Sequence, residues 1–448
     1  MLRWLIAAVL LVLAGLAIES GLLAYAGYVL LALIGVSRWL ARSWVEGLTA
    51  TRKVSAADDG LALEIGGRFT VEVTVANEGT LPVPWVLVED NLPSAATDPR
   101  FPKLKVKGRR IAVAMLAGKG ETALRYEVEC LGRGFHQVGP VVLESGDLFG
   151  LHRRFRVLAP PKFVLVYPRI VPLSGYDIAS RRPIGDVRMT YRLFEDPTRI
   201  AGVREYQAGD PLSRVHWKAT ARTGALHSKV HEPSTLSGIT VLLDFRKDSF
   251  HARGEPMRSE LAVTVAVSLA YAVYLMGQQV GLVTNARDAA ERIKTEGWDQ
   301  DPRTRQEARA EAAKVGEAVR IEPLVVETGR GPETIHRIRE TLARAELAEG
   351  LAFAGLVTET AHRLPRDATA MAVLSEVTVE HAIALGNLRR RGMAVAVILV
   401  QMDEDGLERA YARLVAEGIR ELRHCPSEEA LPDLCSNSVN RIAPYDFA

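Results

Sequence analysis

The densest concentration of side chains able to do chemistry lies in Gly202-Val-Arg-Glu-Tyr-Gln-Ala-Gly-Asp210 and the following Arg214-Val-His-Trp-Lys-Ala-Thr-Ala-Arg222. Arg204, Tyr206, Asp210, Arg214, His216, Trp217 and Arg222 bring forked cations, an acid and large aromatics into one short stretch. Arginine forks recognise carboxylates and phosphates through paired hydrogen bonds, so the cluster fits an anion pocket. The same residues fit a buried salt-bridge network, with Asp210 pairing an arginine and Trp217 filling core. His216 with Asp210 has the residue types for acid–base work, yet no nucleophile stands at a spacing that completes a set. His227 and His231, four apart in an extended stretch, would share one strand face and offer two metal ligands. The usual catalytic patterns are missing: no Gly-x-x-x-x-Gly-Lys-Ser/Thr, no Gly-x-Ser-x-Gly, no His-Glu-x-x-His and no Cys-x-x-Cys. Cys130, Cys425 and Cys435 are too few and scattered for a disulfide framework or a zinc site, and they fit a reducing compartment. These residues predict a chain that is not an enzyme.

The elements that must position this cluster change character along the chain. From about 238 to 448 buried strands alternate with helices: Ile239–Leu243 ending in Asp244, a long apolar helix Glu260–Met276, the strand Val280–Thr284, and charged helices over 299–318 and 332–348. Strand Ala370–Leu374, helix Val379–Arg391, strand Ala394–Val400, helix Leu407–Glu417 and a short strand near Arg420 complete an expected parallel α/β sheet with helices on both faces. Residues 59–160 read instead with period two, as in Phe69-Thr-Val-Glu-Val-Thr-Val75. Several such runs divided by Gly- and Lys-rich turns predict a small antiparallel β-sandwich. Gly132-Arg-Gly-Phe-His136 and Gly146-Asp-Leu-Phe-Gly150 read as ordered turns. Between the two, 161–237 opens with a strand at Val164–Tyr167 and then loses periodicity, so irregular structure packed on the following domain is expected.

Before the sandwich, residues 4 to 37 carry almost no polar side chain except Glu19 and Ser20, followed by Gly21. One straight helix of that length would overshoot a bilayer core of about 30 Å, so two helices turning at Glu19-Ser20-Gly21 are expected within 1–42. A cleaved signal peptide is the rival, but Ala17-Ile18-Glu19 is a poor small-x-small cleavage site and a second apolar run follows at once. Trp4, Trp39 and Trp44 stand where interfacial aromatics belong. Arg3 precedes the pair and Arg38, Arg42, Arg52 and Lys53 follow it, which by the positive-inside rule predicts an inner-membrane hairpin with the soluble part cytoplasmic. Residues 43–58 then read as a linker. At a net charge of +2, with Lys+Arg 56 against Asp+Glu 54, the chain lacks the basic surplus that nucleic acid demands.

Arg204-Glu-Tyr-Gln-Ala-Gly-Asp210, Arg214-Val-His-Trp217 and Thr220-Ala-Arg222 closely resemble the signature of the bacterial domain-of-unknown-function 58 family. The resemblance extends to the paired N-terminal helices, to the Arg133-Gly-Phe, Gly139-Pro and Gly146-Asp-Leu-Phe-Gly150 pattern, and to the C-terminal α/β region. It implies a von Willebrand factor A-like C-terminal domain, no established activity, and association with MoxR-type AAA+ ATPases in a chaperone-like or complex-maturation role.

A von Willebrand A-like domain raises the question of metal, because its adhesion-type site surrounds a hard cation with Asp-x-Ser-x-Ser at the end of the first strand. Here that segment is Asp244-Phe-Arg-Lys-Asp248, with Ser375-Glu376 where a later acidic loop is expected. Arg246 and Asp248 replace the two serines, so the degenerate positions Asp244, Asp248, Ser375 and Glu376 predict a site without magnesium or another divalent cation, in which Arg246 supplies the positive charge and pairs Asp244 or Asp248. Taken together, the chain is expected to be a membrane-anchored interaction module working with an ATPase. The alternatives are an enzyme or sensor binding an anion at Arg204, Asp210, Arg214 and His216, and a structural linker needing no ATPase.

Overall fold

The computed structural model describes residues 2–58, 63–147, 152–173, 194–205, 215–234, 238–299, 322–365 and 368–434, with the side chains of 2, 57–58, 194–205 and 229–234 excepted. The chain divides into two compact units, the first built from 1–169, 287–320 and 339–346, the second from 170–286, 321–338 and 347–448.

The first unit opens with α1 (Leu2–Ala17) and α2 (Gly21–Glu46), which turn where Glu19 takes a positive φ of 52°. Small residues let the two helices close up. A Cβ on Gly15 would sit 2.4 Å from the Ala24 nitrogen, and one on Gly27 would sit 2.5 Å from a Val12 methyl. Their outer faces are apolar and bare, with Leu10, Leu13, Leu16, Leu22 and Tyr25 all more than half exposed. α2 is longer than the expected span. It runs on to Glu46, and Ala41, Trp44 and Val45 are buried, the last two within the core of the β-domain. Trp44 is therefore a core residue and not an interfacial one.

The β-domain follows immediately, so 43–58 is no linker. β1 (Leu48–Val54) pairs along its whole length with β3 (Arg68–Asn77), the short β2 (Leu63–Glu64) lying between them in sequence. The charges of Arg52 and Lys53 disguise a strand whose Leu48, Arg52 and Val54 all point inward. The remaining strands are β4 (Val83–Asp90), β5 (Leu104–Gly108), β6 (Ile111–Leu116), β7 (Glu121–Cys130), β8 (Gly134–Val138), β9 (Val141–Gly146), β10 (Arg153–Ala159) and β11 (Lys162–Tyr167). They form two four-stranded sheets, ordered β1-β3-β7-β5 and β10-β9-β4-β6, plus a small sheet β2-β11-β8. Alternate residues such as Phe69, Val71, Val73 and Val75 face Val86, Val88 and Leu143 in one core, as a sandwich requires. Gly134–Val138, expected as part of a turn, is a strand paired to β11. Leu148, Phe149 and Gly150 of the second expected turn lie outside the described residues.

In the second unit, the described part of 161–237 is more regular than expected. β12 (Phe194–Glu205) pairs with β13 (His227–Ser234), and α3 (Trp217–Thr223) precedes β13. Register shifts near Ile200 break the alternation that would have betrayed the hairpin. A six-stranded sheet follows. Its order is β16 (Leu324–Gly329), β15 (Gln279–Thr284), β14 (Gly238–Leu243), β17 (Ala368–Leu374), β18 (Val395–Val400) and β19 (Leu422–Cys425). Every pairing is parallel except that of β16 with β15. β14, β17 and β18 are buried at every position, as strands covered on both faces must be. Among the covering helices, α4 (Met257–Leu275) is buried along most of its length. The others are α6 (Phe353–Thr360), α7 (Val379–Arg390) and α8 (Glu404–Ala416), while α5 (Pro332–Arg344) is divided between the two units. The helix expected over 299–318 lies outside the described residues.

Candidate functional site

In an open parallel sheet, the carboxyl ends of the central strands leave a crevice where ligands and partners bind. β14 and β17 are adjacent and in register, Leu243 opposite Val373, so the segments beginning at Asp244 and Ser375 emerge side by side. Asp244 is 1% exposed. Its Oδ1 accepts from Asn285 Nδ2 at 2.8 Å and from the Arg246 amide at 3.4 Å. Its Oδ2 is buried with no hydrogen-bond partner among the described residues, and so is the Ser375 hydroxyl.

Asn285, one residue past the end of β15, is the brace of this arrangement. Besides holding Asp244, its Nδ2 donates to the Leu351 carbonyl at 2.9 Å and its Oδ1 accepts from the Phe245 amide at 2.6 Å. It was not singled out from the sequence. The available signal is a polar residue ending the run Val280-Gly-Leu-Val-Thr-Asn285, opposite an acid that ends the next strand.

The remaining degenerate positions stand apart from this buried pair. Asp248 is exposed and takes the Arg246 guanidinium at 2.7 Å, so Arg246 pairs Asp248 and offers Asp244 only its backbone amide. Glu376 is exposed. Its carbonyl is 3.2 Å from His381 Nδ1, in the turn that leads through the Thr378 cap into α7. A hard divalent cation wants about six oxygen ligands. Here Asp248 is engaged by a guanidinium and one Asp244 oxygen by an amide, and no group of three or more His, Cys, Asp or Glu could hold a metal among the described residues. Among the described residues this donor set falls short of that number.

Of the arginine-rich cluster, Tyr206, Asp210 and Arg214 lie outside the described residues, as does the side chain of Arg204. His216 caps α3, its Nδ1 accepting from the Ala219 amide at 3.0 Å, which commits that lone pair to the backbone. Trp217 does not fill core: it is 69% exposed on a helix with no buried residue. Arg222 is exposed in the last turn of that helix, where a cation suits the carbonyl end. His227 Nδ1 is 2.8 Å from the Ala225 carbonyl and 3.2 Å from the Thr223 hydroxyl, while the His231 side chain lies outside the described residues.

Residues 202–303 match the family model described as "Protein of unknown function DUF58", a span that contains Arg204 to Arg222 and Asp244. The chain is 26% identical over 232 residues to the uncharacterized protein YeaD of Bacillus subtilis strain 168, covering 51% of this chain and 55% of that protein. The chain thus spans about half the length of the curated relative it matches. Among solved structures, the CARDB domain of PF1109 from Pyrococcus furiosus is 15% identical over 27% of this chain and 86% of its own, at a TM-score of 0.18. Proximal thread matrix protein 1 of the mussel byssus is 9% identical, over 45% of this chain and 46% of its own, at a TM-score of 0.28.

Proposed function

We propose that this chain is a membrane-anchored interaction module. In this reading α1 and α2 cross the inner membrane as a hairpin, and the sandwich and the von Willebrand A-like α/β domain face the cytoplasm. The strand-end loops around Asp244, Asp248 and Ser375 receive a MoxR-type AAA+ ATPase in chaperone-like complex maturation.

The observation that supports the anchor is the contrast between two helices of similar hydropathy. Gly21–Glu46 and Met257–Leu275 are both long and apolar enough to cross a bilayer, but the apolar window of the second is 67% buried and that of the first only 17%. A helix pair with bare apolar faces and a small-residue seam suits lipid as its solvent. The basic flanks Arg3, Arg38 and Arg42 support this orientation. Support for an interaction role comes from the strand ends, where the Asp244 carboxylate and the Ser375 hydroxyl are buried with oxygens that have no hydrogen-bond partner among the described residues. The ATPase rests on the family resemblance.

Two measurements test the reading. Carbonate extraction of membranes should leave the full chain in the pellet, with the soluble part open to protease only in inside-out vesicles. The full chain in nanodiscs should capture a MoxR-type ATPase in a nucleotide-dependent manner that Asp244→Ala abolishes. Capture unchanged by nucleotide and by Asp244→Ala would remove the strand-end site from the proposal.

A further inference from the structure

The junction between α2 and the β-domain carries a group of cations whose neighbours leave them uncompensated. Ser37 on α2 and His152, just before β10, are 2% and 8% exposed, and Ser37 Oγ lies 3.1 Å from His152 Nδ1. That contact brings the first residues of β10 against the helix one residue before Arg38. Two arginines there are matched by acids, Arg42 by Glu46 at 2.7 Å and Arg153 by Glu144 at 3.4 Å. Arg38 and Arg154 have no ion pair or hydrogen bond among the described residues. Both stand close enough to His152 for their charges to disfavour its protonation. His152 Nε2 is itself buried without a hydrogen-bond partner among the described residues. Two guanidinium groups thus flank a buried imidazole, and among the described residues neither has a carboxylate partner, Asp147 facing the imidazole and taking the His152 amide at 2.6 Å.

The depth of this group along α2 says what does answer them. Val36, apolar and 54% exposed, precedes Ser37, and Trp39, 59% exposed, follows Arg38. At a rise of about 1.5 Å per residue the whole change from bare aliphatic to bare indole to arginine takes less than one helical turn. Indole and arginine at the end of an apolar helix mark the headgroup layer. A guanidinium fork matches a phosphate, and each basic residue at an anionic leaflet is worth about 1 kcal/mol.

We propose that Arg38 and Arg154, beside the Ser37–His152 contact, bind the phosphate of an anionic phospholipid headgroup, seating the β-domain on the leaflet from which α2 emerges. The inference rests on the membrane reading of the hairpin. The shared chemistry is a phosphate anion, and the source is the lipid, because the site lies at the end of the membrane helix.

The test uses the full chain in nanodiscs of phosphatidylcholine mixed with phosphatidylglycerol. Lipid retained on the protein after detergent extraction is measured by mass spectrometry. Wild type should retain phosphatidylglycerol in excess of its share in the disc. Arg38→Gln with Arg154→Gln should bring retention down to that share, and Lys107→Gln, a lysine on the sandwich surface, should leave it unchanged. A folded double variant, judged by its circular dichroism, that keeps the excess overturns the site. So does a wild type that shows no excess, or that gives up its excess phosphatidylglycerol when inorganic phosphate is added to the mixed discs. Carbonate extraction separates the two ideas: variants that stay in the pellet while losing the lipid leave the hairpin intact, and a wild type released by carbonate overturns hairpin and site together.

Discussion

Arg52 grips Asp90 through two guanidinium nitrogens, Nη2 to Oδ1 at 2.8 Å and Nε to Oδ2 at 3.1 Å, with the two side chains 1% and 2% exposed. The rest of the network is complete. Arg52 Nη1 donates to the carbonyls of Val138 and Pro160, and the Tyr126 hydroxyl donates to Asp90 Oδ2 at 2.8 Å. It joins β1, β4 and β7, strands from both sheets of the sandwich. Asp90→Ala should cost about 3–5 kcal/mol, because it strands the Arg52 charge in the core. Tyr126→Phe should cost nearer 1 kcal/mol. Replacing both partners, Arg52→Met with Asp90→Leu, should recover much of the loss. Denaturant unfolding of the three variants checks the order, and a double variant no better than Asp90→Ala contradicts it.

His152 should make the β-domain acid-sensitive. Burial holds its imidazole below the ordinary 6.5, with Arg38 and Arg154 adding to the effect and Asp147 opposing it. The unfolded chain then binds a proton that the folded chain rejects. Stability from this residue is therefore full above 6.5 and is lost as pH falls below it. Thermal midpoints between about pH 8 and pH 5 should fall more steeply for wild type than for His152→Gln. Parallel curves would show that His152 is not the group responsible.

Magnesium and manganese should leave the α/β domain unchanged. A cation that bound only the folded protein would raise its thermal midpoint by mass action, by about 2.7 kcal/mol at a hundredfold excess over Kd. The expected shift is none, because Arg246 and Asn285 already engage Asp248 and one oxygen of Asp244. A rise in wild type that disappears in Asp244→Ala would restore the metal reading.

Trp217 separates a folding role from a docking role. At 69% exposure its replacement by alanine should change stability by no more than about 0.5 kcal/mol. If α3 contacts the ATPase, the same variant should weaken capture at least tenfold, as exposed tryptophans at interfaces do. A large loss of stability would instead mean that Trp217 packs on residues 206–214.

What the sequence made legible follows from which signals are local. The alternation in Phe69–Val75 and the strand–helix rhythm after Gly238 are local, and both elements stand where period and turn chemistry place them. Leu48–Val54 was missed because its inward residues include Arg52, whose buried acid is 38 residues away. The β12–β13 hairpin was missed because register shifts interrupt its alternation. At the candidate site, Asp244 and Ser375 were legible as strand ends, whereas Asn285 matters only because β15 lies beside β14. Pairing order is a tertiary fact. The partner of Arg246 was legible as one of two, Asp244 or Asp248, and its guanidinium meets Asp248.

The unbroken run from Gly21 to Glu46, with no hinge before β1, has a mechanical consequence. Arg156 Nη1 donates to the carbonyls of Val45 at 3.1 Å and Glu46 at 3.3 Å, fastening the end of the helix to the sandwich beyond the Ser37–His152 contact. A flexible tether would let the β-domain swivel and would transmit only tension. A helix clamped at two heights behaves as a crank: turning the sandwich would turn the helix with it, and on the membrane reading proposed above a change of helix tilt would reach the sandwich.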